Sequence, residues 1–327
     1  MNILLTGGAG YIGSHAALSL LDSGHQVHII DNLSTGNEML IPKSAKFTNC
    51  DVNNEEVISN LIQSDKFDLL MHFAGFIQVE ESVMYPEKYF ENNTNNAIKL
   101  FNICKKNGLT KIVFSSTAAA YGLVSENKLI DEHTNLNPQN PYAESKIKTE
   151  KFLFDNEGIF KFIILRYFNV AGADKRMRSG QISKNSTHLI KKISEVVVGK
   201  RNQIEIYGND YNTPDGTAIR DYIHVSDLAD IHVEVAKYLL ENLESNLFNC
   251  GYGNGFSVLD VVNTTNKIYQ NKIIYKFSNK RDGDVEKLIA NNSKISEYIK
   301  WCPKYNDLKE IISSSVKWEE KINASNT

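Results

Sequence analysis

Cysteine is scarce in this 327-residue chain, and the four present, Cys50, Cys104, Cys250 and Cys302, are scattered without a Cys-x-x-Cys pair. Such spacing argues against a disulfide framework or a cysteine zinc module, so all four are expected to be reduced packing residues. The eight histidines are equally dispersed, with no pair at ligand spacing on one element, and no metal is expected. Charge of one sign is also lacking: Lys+Arg 36 against Asp+Glu 39 leaves a formal net charge of -3. That balance offers no electrostatic footprint for nucleic acid, and the basic run Lys175, Arg176 and Arg178 reads as a solvated loop. No apolar run approaches a bilayer-spanning length, and the first strand begins at residue 2, leaving no room ahead of it for a signal peptide. The expectation is a cytoplasmic protein that uses no membrane. Internal repeats, linkers and low-complexity tracts are missing as well.

What is present begins at once. A strand, Asn2 to Thr6, runs into Gly7-Gly8-Ala9-Gly10-Tyr11-Ile12-Gly13 and then an apolar helix ending near Gly24. Glycines at 7, 10 and 13 allow a tight turn, close approach of backbone amides to a pyrophosphate, and close packing of helix on strand. The next strand, Gln26 to Ile30, is followed by Asp31-Asn32, 18 residues beyond Gly13. A carboxylate there accepts bonds from an adenosine 2′-hydroxyl and repels a 2′-phosphate, which predicts NAD rather than NADP.

Further on, Ser115-Ser116-Thr117 precedes Tyr142-Ala143-Glu144-Ser145-Lys146 by 25 residues. Asn140 and Pro141 are good N-cap and first-turn residues, so a helix should start here with Tyr142 and Lys146 on one face. A tyrosine ordinarily titrates near pH ~10, and a fixed ammonium beside it should draw the phenol toward the range of a general base. Thr117 supplies a hydroxyl nearby.

Strand patterns at Val27 to Asp31, Phe47 to Asp51, Asp68 to Phe73, Lys111 to Ser115 and Phe162 to Tyr167 alternate with helical ones. The fold class is therefore α/β, a doubly wound parallel Rossmann sheet with a second, smaller α/β substrate domain. The large domain is expected over 1-172 plus about 220-245, and the smaller over about 173-219 and 246-327. Ligands belong at the carboxyl ends of the strands. There, Asp51-Val52 can meet an adenine amino group, and Phe73-Ala74-Gly75 lets a cofactor lie on the backbone, although either is also ordinary turn chemistry.

Taken together, these motifs resemble the extended short-chain dehydrogenase/reductase family over the whole chain. More narrowly, GGAGYIGSH (Gly7 to His15), DNLSTG (Asp31 to Gly36), NPYAESK (Asn140 to Lys146), RYFNVAGA (Arg166 to Ala173) and DGTAIRDYIHVSDLAD (Asp215 to Asp230) resemble UDP-glucose 4-epimerases. The resemblance implies a homodimer and an NAD that remains bound through turnover. It places Gly7, Gly10, Tyr11, Ile12 and Gly13 on the cofactor, followed by Asp31, Asn32, Leu33, Ser34, Thr35 and Gly36. Asp51, Val52, Phe73, Ala74, Gly75, Asn92, Ser115 and Phe168 complete that set, beside the catalytic Tyr142, Lys146 and Thr117.

On the substrate side, the resemblance implies Tyr167 and Asn169 at the sugar and diphosphate, and His188, Leu189 and Tyr207 at the uridine pocket. Tyr222 stands with this substrate group. Arg220 and Arg281 suit the diphosphate as guanidinium forks, and Asp284 the uridine ribose. Leu288 takes a position where many relatives restricted to UDP-Glc and UDP-Gal carry tyrosine; it reads either as room for a 2-acetamido group or as core packing. Departures exist: Gly75-Phe76-Ile77 lacks the lysine that many epimerases carry there, and His188 stands where some relatives have asparagine. Related dehydratases follow the Ser-Ser-Thr strand end with an acid, whereas this chain has Ala118-Ala119-Ala120. A nucleotide-sugar reductase of the same family, or a dinucleotide-binding sensor without catalysis, remains the alternative.

Overall fold

The computed structural model describes residues 1–124, 129–183, 186–270, 272–281 and 283–324. Seven strands form one parallel sheet, in the order Asn246–Cys250, Lys161–Tyr167, Lys111–Thr117, Leu69–His72, Asn2–Thr6, Gln26–Asp31, Lys46–Asn49. The chain winds outward from the centre in both directions, and the switch point lies between Asn2–Thr6 and Leu69–His72.

Alternation along the strands divides the core in two. Ile3, Leu5, Val27 and Ile29 pack with Ala16 and Leu20 of the Tyr11–Asp22 helix and Leu228, Ile231 and Val235 of the Val225–Asn242 helix. Leu4, Ile30, Leu70 and Phe114 belong to a second cluster, with Ile58 of the Glu55–Asp65 helix, Phe101 of Asn96–Lys106 and Leu153 of Pro141–Asp155. Both faces being covered, the strands read as near-continuous apolar runs. Each such side chain contributes about 1.5–3 kcal/mol on burial, more than helix propensity supplies per residue. Packing therefore sets where the strand ends stand.

The smaller lobe holds two further sheets. Gly255–Ser257, Ile219–His224 and Lys287–Leu288 run side by side, with Asn169–Ala171 also pairing to Ile219–His224. Ile204–Tyr207 pairs with Tyr275–Ser278. Two expected boundaries move. Residues 220–224 were expected in the large domain, yet their strand lies in the small sheet and only the helix that follows returns. Residues 246–250 were expected in the smaller lobe but form the edge strand of the large sheet, because a short connection from the Val225–Asn242 helix brings Leu247 and Phe248 back beside Ile164 and Leu165.

Other differences are local. Cys104 and Cys250 are buried in the two cores and Cys50 is half-buried, but Cys302 is exposed and so does not serve packing. The Lys111–Thr117 strand runs two residues past its expected end, making Thr117 its last member. Between the helices Pro86–Tyr89 and Asn96–Lys106 the chain makes a π-helical turn at Phe90–Asn95, a form frequent at functional sites.

Gly7 is fixed by geometry, with φ +74° and a Cβ position only 2.5 Å from the Ala74 nitrogen. Gly7→Ala should cost about 1–3 kcal/mol in urea unfolding, whereas Gly24→Ala, equally left-handed but with open space around it, should cost only the backbone strain, about 1 kcal/mol.

Candidate active site

At the switch point, the turn after Asn2–Thr6 is held by Gly7 N–H donating to Ile30 O at 2.9 Å and Gly10 N–H to Gly7 O at 3.1 Å. A Cβ on Gly13 would stand 2.2 Å from Gly7 O, so glycine alone allows helix and turn to touch. Gly10 caps the helix without a side-chain bond, which leaves first-turn N–H donors open to an anion. Tyr11 and Ile12 follow, and the Tyr11 hydroxyl donates to Gly172 O at 2.7 Å, bridging toward the smaller lobe. Asp31 ends its strand with Oδ2 accepting from Ala9 N–H at 3.0 Å and Oδ1 from Leu33 N–H at 2.9 Å. Burial raises its pKa, and those two bonds oppose the rise.

Around that carboxylate lies a polar rim. Asn32 donates to Asp51 Oδ2 at 3.0 Å and accepts from Ser34 N–H, Leu33 takes φ +60°, and exposed Thr35 leads to Gly36. A Cβ on Gly36 would lie 2.8 Å from Asp31 Oδ1. Val52, buried beside Asp51, packs into the core beneath. An uncapped helix start, a carboxylate at the second strand end and glycines admitting close approach form a cradle that fits a dinucleotide without a 2′-phosphate.

The Pro141–Asp155 helix starts where expected, with the Asn140 side chain accepting from Ala143 N–H at 2.9 Å. Tyr142 and Lys146 face the end of the Lys111–Thr117 strand. Thr117 ends that strand near the Tyr142 phenol, close enough to oppose the rise of its pKa, and the Thr117 hydroxyl accepts from Ala119 N–H at 3.1 Å. Lys146 Nζ donates to Ser115 O at 2.9 Å. Tyr142 differs from expectation: burial raises its pKa, and Thr117 opposes the rise. The reason is water exclusion, which also lowers Lys146 to about 8, against an opposing effect of Glu150.

Gly75 lies against this group, since its Cβ would be 3.3 Å from Lys146 Nζ and 3.1 Å from Asn93 Oδ1. Ahead of it, Ala74 is partly buried and the Phe73 ring stands 4.8 Å from His232. Asn93 is the residue that the sequence reading missed. Its side chain accepts from Phe76 N–H at 2.8 Å and donates to Phe76 O and Ser145 Oγ, while the expected Asn92 only donates to Asn93. The π-helical turn aims it there, and the polar run Asn92-Asn93-Thr94-Asn95-Asn96 inside a helical stretch was the available signal.

Substrate-side residues separate into three groups. Asn169, His188, Leu189 and Tyr222 line a common cavity. Arg281 stacks 3.8 Å over the Tyr207 ring, and its Nε stands 3.8 Å from Glu80 Oε1. Arg220 is ion-paired with Asp284 and donates to Ile219 O, so Asp284 faces an arginine rather than an open pocket. Tyr167 is buried with its hydroxyl 2.7 Å from His232 Nε2. Leu288 is 9% exposed and clusters with Ala118, Tyr121 and Phe168, next along the chain from Thr117. Ile77 is exposed.

A glycine turn at the switch point of a doubly wound sheet, with Thr117, Tyr142 and Lys146 beside it, defines a dinucleotide-dependent enzyme that works on a hydroxyl-bearing carbon. Residues 3–251 match the NAD dependent epimerase/dehydratase family, and the chain belongs to it. It is 43% identical over 325 residues to the UDP-glucose 4-epimerase of Azospirillum brasilense, covering 99% of this chain and 93% of that one. A UDP-glucose 4-epimerase structure from Stenotrophomonas maltophila, with bound NAD and formylated UDP-arabinopyranose, superposes with TM-score 0.96 at 30% identity over 99% of each chain. The UDP-Glc/GlcNAc 4-epimerase from the human pathogen Campylobacter jejuni superposes with TM-score 0.84 at 42% identity, covering 98% of this chain and 99% of that one.

Lys146 gives a pH signature. Its amine binds a proton more weakly folded than unfolded, so its contribution to stability is complete above the unfolded value near ~10.4 and is lost as pH falls through about 8. The unfolding free energy of the native protein minus that of Lys146→Met should therefore rise between those limits; a flat difference would contradict it.

Proposed function

We propose that the protein is an NAD-dependent 4-epimerase of UDP-hexoses that oxidises the sugar at C4 and returns the hydride to the opposite face. The observation that carries this reading is the Tyr142 phenol beside Thr117 at the strand end, with the Lys146 cation between Ser115 and Gly75. Bound NAD would supply the hydride acceptor and donor, and its positive ring the charge favouring the Tyr142 phenolate. Tyr142 takes the proton of the sugar 4-hydroxyl and gives it back after the 4-keto sugar has turned. Thr117 bonds the same oxygen, and Lys146 offsets the phenolate charge through the shared site. The helix start at Gly10 and Asp31 hold the cofactor, and the tethered UDP lies toward Arg281, Tyr207 and the cavity at Asn169 and Leu189.

Within a family that includes dehydratases, Ala118, Ala119 and Ala120 favour epimerisation, because no carboxylate follows Thr117 to carry the proton of a water elimination. The same reading takes the enzyme as a cytoplasmic homodimer joined through the helices near 86 to 107 and 141 to 155; half-exposed Phe154 on the second supports an apolar contact there. Sedimentation at varied concentration tests the dimer.

Tyr142→Phe should lower kcat by about 10²–10⁴-fold and leave bound NAD in place, and Thr117→Ala should cost less. Heat-denatured native protein should release stoichiometric NAD, and turnover should need none added. Active protein that contained no nucleotide and consumed free NAD in proportion to product would replace the epimerase reading with a reductase.

Substrate width follows from Leu288. Its place beside Ala118 and Phe168 puts an aliphatic wall near the reacting hydroxyl, so the enzyme is expected to interconvert UDP-GlcNAc with UDP-GalNAc as well as UDP-Glc with UDP-Gal. Leu288→Tyr should lose the acetamido pair selectively; equal loss of both pairs assigns Leu288 to packing.

A further inference from the structure

One helical turn beyond Lys146, the same helix face carries Glu150, 2% exposed. Its carboxylate accepts from Arg166 Nε at 3.0 Å and Nη2 at 2.6 Å, and from the Ser116 hydroxyl. Arg166 is 4% exposed, sits opposite Ser116 in the strand register, and stacks 4.9 Å over the Tyr121 ring. Three successive strand positions thus meet three successive turns of one helix: Thr117 lies near Tyr142, Ser115 is bonded to Lys146, and Ser116 is bonded to Glu150.

This layout has a charge consequence. Tyr142 and Glu150 stand one turn either side of Lys146 on its own helix, Arg166 and Tyr167 lie in the next strand opposite Ser116 and Thr117, and His72 is near enough to feel the Lys146 charge. His72, lowered to about 3 chiefly by burial, is neutral, and so are the two phenols. Glu150 is therefore the anion among these groups and Arg166 the second cation.

We infer that Glu150 and Arg166 form a positioning pair for the catalytic centre: Glu150 keeps the buried Lys146 cationic, and the Arg166 fork holds Glu150 in register beneath it. The inference rests on the epimerase reading for its effect on rate, but its direct readout does not. Replacing Glu150 by a neutral isostere removes the carboxylate that opposes the effect of burial on Lys146 and leaves two buried cations without it, of which the one able to lose its proton is Lys146.

The experiment is the titration of the Lys146 ammonium by NMR in protein carrying isotope-labelled lysine, with Lys146→Met as the assignment control. In Glu150→Gln the Lys146 acid dissociation constant should increase about tenfold or more, and Glu150→Asp, which keeps the charge, should hold it near the native value. In parallel, the alkaline limb of kcat in Glu150→Gln should move to lower pH, with kcat reduced about 10²-fold and KM within about twofold. An unmoved Lys146 titration in folded Glu150→Gln overturns the inference, whatever the loss of rate. Should that variant fail to fold, Glu150→Gln combined with Arg166→Met, which leaves no unpaired buried arginine, carries the same test with the same sign, and an unmoved midpoint again overturns it. A native protein inactive on every UDP-hexose would sink the epimerase reading alone, because the titration needs no sugar.

Discussion

The bond from Lys146 Nζ to the Ser115 carbonyl sets the phase of the Pro141–Asp155 helix against the Lys111–Thr117 strand. With that phase fixed, Tyr142 stands over Thr117 one turn back and Glu150 over Ser116 one turn on. The bond also explains why a lysine is tolerated at 2% exposure: its ammonium is satisfied by a backbone carbonyl, and the more distant Glu150 carboxylate favours its charge. Two buried cores clamp the strand from both faces, so the reacting groups are held by rigid elements and not by loops.

The same centre shows what desolvation does to catalysis. Burial raises the Tyr142 phenol and lowers the Lys146 ammonium, so two groups of nearly equal proton affinity in water are driven apart, the phenol holding its proton while the amine holds its own less tightly. In the proposed reaction that difference leaves the phenol in need of an added positive charge before it can act as a base, which a bound nicotinamide would bring.

Much of this was legible in the sequence because it is written in local patterns. Strand, glycine turn and helix identify the cofactor cradle, Asn140-Pro141 fixes a helix start to the residue, and the spacing of Tyr142 and Lys146 places them on one face. What was hidden depended on elements distant in the chain. Asn93 reaches Gly75 only because of a π-helical turn, which no hydrophobic period encodes. Glu150 meets Arg166 through the register of two parallel strands, and Asp284 meets Arg220 across a small sheet, so pairing satisfies groups that the motifs alone leave facing a ligand. The edge strand at 246–250 was misplaced for a related reason, since a short strand that closes a sheet looks the same as one that opens another.

The π-helical turn has a reach beyond the asparagine it aims. Five residues per hydrogen-bonded ring instead of four amount to one extra residue in the spiral, and each residue turns a helix by about 100°. Everything downstream, from Asn96 to Lys106, is rotated by that amount relative to a regular continuation of Pro86–Tyr89. Which side chains of that segment meet the Glu55–Asp65 helix and which face outward is therefore decided at the catalytic centre. Deleting one residue from Phe90–Asn95 would mend the spiral and, in the same stroke, withdraw Asn93 and turn the outer surface, so chemistry and exterior are bound to drift together or not at all.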